Sequence, residues 1–97
     1  MGNKPRHRPQ RLAAKLLHMR KSLGVSQSQL LRLLELDLEL ETSRISEYEH
    51  GVREPSLITL LAYSYLVSIP INDFVDDTVE LPSKIIIKQR RKHVTLV

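Results

Sequence analysis

The chain has no cysteine. That excludes a disulfide framework and any cysteine-ligated metal, and it fits a reducing cytoplasm. No apolar run approaches the roughly 20 residues needed to cross a bilayer, so no membrane partner is expected. The N-terminus is basic, but no signal-type apolar core follows it. His7, His18, His50 and His93 are scattered, without the spacing of a metal site. No glycine-rich phosphate loop is present. Ser43 and Ser46 lie near Glu47, but no histidine is placed to act as their base. These absences argue against an enzyme and imply no cofactor and no metal.

Acidic residues are missing from both ends. Residues 1–11 carry Lys4, Arg6, Arg8 and Arg11, and residues 84–97 carry Lys84, Lys88, Arg90, Arg91 and Lys92, with no acid in either stretch. The middle, residues 12–83, holds six basic and eleven acidic residues and is net −5, so the overall +4 conceals an asymmetry. Basic arms on a folded body are the usual footprint of a polyanion partner; the alternative is a pair of solubilising tails. At 97 residues the chain is one domain. Its expected parts are a disordered basic arm at 1–10, a helical body at 11–78, and a basic, β-branched tail at 79–97.

What is present reads as helices. Leu12, Leu16, Met19 and Leu23 recur on one helical stripe and predict a helix from about Gln10 to Ser22, closed by Gly24. Ser26 is a good N-cap for a second helix with Leu30, Leu33 and Leu34 inward. Residues 35–41 alternate acid and leucine, a pattern normally read as a strand. Between helices and without a strand partner, they predict instead the end of helix two, a turn near Asp37, and a helical lead into helix three. Helix three is expected at Thr42–Glu49, with Ile45 and Tyr48 inward. The segment Glu49-His50-Gly51-Val52-Arg53-Glu54-Pro55-Ser56 closes it, turns and caps the next helix. Helix four is expected from Ser56 to Val67 with Leu57, Leu60, Leu61 and Ser64 on its inner face. A short helix five is expected at Ile71–Val75, beside Pro70. Ile85-Ile86-Ile87 and Val94-Thr95-Leu96-Val97 favour a strand or hairpin.

Four fragments now stand in order: Leu16-x-x-x-Arg20; Leu23-Gly24-Val25-Ser26-Gln27; Ile45-x-x-x-Glu49-x-Gly51; and Arg53-x-Pro55-Ser56. Together they resemble the Cro/C1-type helix-turn-helix family, also called the xenobiotic-response-element family. The resemblance covers about residues 12–76. It implies an all-α, five-helix, lambda-repressor-like fold. One departure stands out: Leu30 and Ile45 are fifteen steps apart, four more than usual in the family, and the extra stretch is acidic at Glu35, Asp37, Glu39 and Glu41.

The resemblance also implies site residues. A helix in the major groove reads base edges through its N-terminal side chains. Carried over from Ile45, those positions fall on Thr42, Ser43, Arg44 and Glu47. Arg44 favours guanine; Glu47 either accepts from cytosine N4 or is a solvated helix residue. Ser26 and Gln27, at the start of helix two, would meet a phosphate, and His50 and Arg53 match phosphate-clamping positions. Arg6, Arg8 and Arg11 of the arm would add phosphate contacts. Arg20 and Glu49 match a structural ion pair.

The function expected is a sequence-specific, double-stranded-DNA-binding transcriptional regulator. It would be a cytoplasmic, nucleoid-associated repressor of prokaryotic or phage origin, acting as a homodimer on an inverted repeat. A second reading is an antitoxin or accessory protein that grips a protein partner through residues 83–97 and autoregulates through DNA. A third is a small subunit of a nucleoprotein machine. Helices one to five offer no clear extra apolar face, so self-pairing is expected at a β-edge of the tail, or failing that at Phe74 and Val75 of helix five.

Overall fold

The computed structural model describes residues 8–88. Five helices follow in order: α1 (Leu12–Leu23), α2 (Gln27–Leu33), α3 (Thr42–Glu49), α4 (Leu57–Val67) and α5 (Ile71–Val75). No strand occurs among the described residues. The domain is therefore all-α.

The α1 stripe is buried as its period requires. Leu12, Leu16 and Met19 form the middle of the core with Leu30, Ile45, Tyr48, Leu60, Tyr63, Val67 and Phe74. Gly24 ends the helix at φ 72°, and its N–H is donated to Arg20 O and Lys21 O at 3.1 Å. Gly51 closes α3 in the same left-handed region, φ 73°. Ser26 caps α2 in a reciprocal box: its hydroxyl accepts from Gln29 N–H, and Gln29 Oε1 accepts from Ser26 N–H. Ser56 caps α4 by accepting from Thr59 N–H.

The start of α1 has no side-chain cap of its own. Asp77, in the turn after α5, supplies one: its carboxylate accepts from Gln10 N–H and Arg11 N–H at 2.9–3.1 Å. The return contact is Lys15. Its side chain is buried in the α1 stripe, and its ammonium donates to Asp73 O and Asp76 O at 2.7 and 2.8 Å. The two ties hold α1 and α5 together by their ends and satisfy backbone groups that short helices leave open.

Four expectations need correction. First, α2 stops at Leu33 and α3 starts only at Thr42, so residues 34–41 form a bulging loop with no helical lead. The alternation of leucines resolves within one turn. Leu40 N–H bonds to Leu36 O, both leucines pack on the core, and Leu38 between them is 96% exposed at the tip. Glu35 turns the chain with φ 62°, a conformation unfavourable for a residue with a β-carbon. Second, the inner face of α4 keeps the expected Leu60 and Ser64, adds Thr59, Tyr63, Leu66 and Val67, and leaves Leu61 only half-buried. Leu57 is exposed, and with Ile58 and Tyr65 it makes an outward apolar face that the sequence was not expected to carry. Phe74 of α5 is fully buried, and Val75 beside it is half-buried against the core.

Third, residues 84–88 form no strand. Ile85 is 3% exposed in the core. Ser22 Oγ accepts from Ile85 N–H at 2.7 Å and donates to Ile85 O at 3.2 Å. Pro82 O accepts from His18 Nε2 at 2.8 Å, and Leu66 O accepts from Lys88 N–H at 3.1 Å. Packing therefore runs past the expected boundary at residue 78, because a buried isoleucine anchors the segment. Fourth, residues 8–10 of the expected arm are docked on the body through Glu54 and Asp77. The remaining arm residues and 89–97, including most of the expected β-edge, lie outside the described residues.

Candidate nucleic-acid interface

The surface built by α3 and the loop after it has a locked inner side and a polar outer side. On the inner side, Glu49 is almost enclosed. Arg20 Nε and Nη2 donate to its two oxygens at 2.8 and 3.1 Å, and Gln27 Nε2 donates to Oε1 at 3.1 Å. Arg20 also donates to Val25 O at 3.0 Å. One carboxylate therefore joins α1, the α1–α2 turn, α2 and the end of α3. The expected Arg20–Glu49 pair is present, with Gln27 as a third member that the sequence did not disclose.

That placement changes the role of Gln27. Its amide is turned to Glu49, but a side-chain NH2 has two hydrogens. One can stay on the carboxylate while the other faces outward. Ser26 is more committed: its N–H and one hydroxyl lone pair are used in the capping box, which leaves the hydroxyl proton. Thr42 Oγ1 lies 3.3 Å from Ser28 Oγ, a contact from α3 to α2 that no motif announces.

On the outer side, Glu47 gathers two cations. Its Oε1 accepts from Arg53 Nε at 2.9 Å and pairs with Arg44 Nε at 3.3 Å. Ser43 is exposed beside them. His50 Nδ1 is 2.8 Å from Ser46 O, so that nitrogen carries the proton and donates. Exposed ion pairs of this kind contribute only about 0–1 kcal/mol, so Arg44 and Arg53 are aimed by Glu47 without being trapped by it. The Glu47 carboxylate, for which the sequence left a cytosine contact and a solvated position open, lies between two guanidiniums.

The arm splits in two directions. Arg8 Nε pairs with Glu54 Oε2 at 3.1 Å, next to Arg53. A cleft of about 260 Å³ lies between Arg8, Pro9 and Ala13 on one side and Gly51, Arg53 and Pro55 on the other. Arg11 instead meets Glu80 at 2.9 Å and Asp77 O at 3.0 Å. It shares no partner with the α3 group. Arg6 lies outside the described residues.

Two groups are electrostatically marked. Burial pushes the Tyr63 hydroxyl far above its ordinary range, with the nearby Glu49 and Tyr48 charges adding to it. It stays protonated, and it has no hydrogen-bond partner among the described residues. The side-chain hydrogen bond from Thr78 Oγ1 to Asp76, at 2.6 Å, is the main cause that lowers the Asp76 pKa, helped by the Thr78 N–H.

No group of histidines and carboxylates able to hold a metal occurs among the described residues. Nor is any described helix long and apolar enough to cross a membrane. Comparison with protein families, with curated proteins and with solved structures finds no match to this chain.

Proposed function

We propose that the chain is a sequence-specific, double-stranded-DNA-binding regulator of the Cro/C1 type with a lambda-repressor-like arrangement of its helices. In this reading it represses as a dimer on an inverted repeat, in a prokaryotic cytoplasm, with no catalytic step. One observation carries the reading. The exposed side of α3 presents Ser43, Arg44 and Glu47 together, continued by His50 and Arg53, while its buried side is fixed to α1 and α2 through Glu49.

The chemistry follows from those groups. Arg44 leaves a weak i,i+3 pair and donates bidentately to guanine O6 and N7. Arg53, Arg8 and the outward hydrogen of Gln27 meet phosphates on either side. Glu47 keeps the two arginines from collapsing onto one phosphate. The acidic loop 34–41 lies directly ahead of α3 and repels phosphate, so the basic ends supply much of the attraction.

The test is selection of duplexes from a random-sequence pool by the full chain. The expected product is an enriched motif with two-fold-related half-sites centred about one helical turn, 10–10.5 base pairs, apart. A pool that shows no enrichment after repeated rounds removes the reading. Retention of all sequences alike would leave only non-specific polyanion binding.

A further inference from the structure

We propose that Glu47 is a specificity-determining residue of the α3 surface: it holds Arg44 in the orientation that suits guanine and withholds it from phosphate. The inference rests on the base-reading proposal above and gives a role to an acid on a surface that meets a polyanion.

A carboxylate on such a surface opposes binding by charge alone. Here two arginines offset it. Glu47 Oε1 accepts from Arg53 Nε at 2.9 Å and pairs with Arg44 Nε at 3.3 Å. The Glu47 and Arg44 side chains are 37% and 36% exposed, so their pair is partly withdrawn from solvent and its screening. Both contacts are made through Nε. No hydrogen bond to a described residue uses the terminal nitrogens of either arginine. A guanidinium carries five N–H donors in one rigid plane, and only one of them is on Nε. The terminal NH2 groups of Arg44 therefore stay open while Nε is held.

Guanine presents O6 and N7 side by side in the major groove and takes two parallel donors. The terminal nitrogens of Arg44 supply both with Nε still on Glu47, so reading guanine leaves the ion pair whole. A phosphate lies on the strand to the side of the groove. Reaching one draws Arg44 away from Glu47 and leaves the carboxylate facing the backbone with less compensation. The same acid is thus compatible with the guanine contact and opposed to the phosphate contact, a discrimination made by repulsion as well as attraction. The two residues stand at i and i+3 on α3, so they share a face, and that helix is fixed from behind through Glu49.

Glu47→Gln tests the role, since it keeps the size of the side chain and removes its charge. Glu41→Gln is the control. Glu41 is exposed directly ahead of α3 and forms no ion pair among the described residues. Fluorescence anisotropy compares the full chain and both variants on the best selected duplex and on a scrambled one, over a range of salt. Glu47→Gln should bind the scrambled duplex about 3–10-fold tighter, because one pair of this class accounts for up to about fivefold and a repulsion is removed with it. Its log–log salt slope there should steepen by about 0.9, the mark of one added phosphate contact. It should gain nothing on the selected duplex. Glu41→Gln should change both affinities by the same factor. In the free protein, the Arg44 Nε–H signal of a 15N spectrum should shift in Glu47→Gln and stay in place in Glu41→Gln. A preference for the selected duplex that Glu47→Gln leaves unchanged overturns the proposal, as does an unmoved Arg44 signal; either result leaves base reading standing. Equal binding of both duplexes by the unaltered chain overturns base reading and this role with it.

Discussion

Replacing Glu49 by alanine tests whether the α3 surface is held from behind. The substitution removes the two carboxylate acceptors of Arg20, at 2.8 and 3.1 Å, and the acceptor of Gln27. The Glu49 side chain is 2% exposed and Arg20 16%, so the orphaned guanidinium stays largely out of water. Removing one member of a buried pair costs about 3–5 kcal/mol. Arg20 keeps Val25 O and some solvent, which puts the loss near the low end, about 3 kcal/mol. A domain of this length has about 5–15 kcal/mol in total. The loss corresponds to a fall in Tm of about 12–24 °C at about 4–8 °C per kcal/mol. Urea unfolding followed by circular dichroism measures it. The pair itself contributes less than its breaking costs, since desolvation offsets the attraction. Combining Arg20→Met with Glu49→Met should therefore recover most of the stability lost by Glu49→Ala. A loss below about 1 kcal/mol for Glu49→Ala, where a buried pair predicts about 3, would refute this reasoning.

Three further outcomes follow from the core and its edges. Ile85→Ala should cost about 2–4 kcal/mol in urea unfolding, because the side chain is buried; a loss under about 0.5 would return residues 79–88 to the status of a tail. Tyr63→Phe removes a buried hydroxyl without a partner among the described residues and should leave stability unchanged or raise it by about 1 kcal/mol; a clear loss would reveal a hidden partner for that hydroxyl. Thr78→Val removes the main cause of the lowered Asp76 pKa, so that pKa should rise toward the ordinary carboxylate value in a carboxyl 13C titration. Because a lowered folded-state pKa stabilises above the unfolded pKa and is lost as pH falls through the folded one, the variant's deficit should be present at neutral pH and vanish in acid. An Asp76 titration unmoved by Thr78→Val would assign the shift to another group.

The parts legible in the sequence were those fixed by local rules. α3 and α5 occupy the expected ranges, and α1 buries Leu12, Leu16 and Met19 of the expected stripe with Leu23 half-buried, since period and glycine stops act within a few residues. The inner face of α4 was not legible: Leu57-Ile58-Thr59-Leu60-Leu61 is apolar nearly all round, so only tertiary packing selects which side turns in. Ile85 belongs to the same kind of case. A β-branched run reads as a strand locally, and what decides its fate is Ser22, 63 residues away. The acid–leucine alternation after α2 failed as a strand signal because Leu36 and Leu40 find the core together within one turn. Of the candidate site, the Arg20–Glu49 tie was readable from motif order. The clasp of Arg44 and Arg53 by Glu47 was not, since Arg53 lies six residues beyond Glu47 in a loop.

The central claim is that the outer side of α3 reads DNA sequence through Arg44. The most direct measurement is fluorescence anisotropy of the full chain and of Arg44→Ala, each on the best selected duplex and on a scrambled one, at fixed salt. The full chain should prefer the selected duplex by about 10³-fold or more. Arg44→Ala should lose about 1–3 kcal/mol on that duplex and much less on the scrambled one. Equal affinity of the full chain for both duplexes, or an equal loss on both in the variant, would contradict base reading by α3.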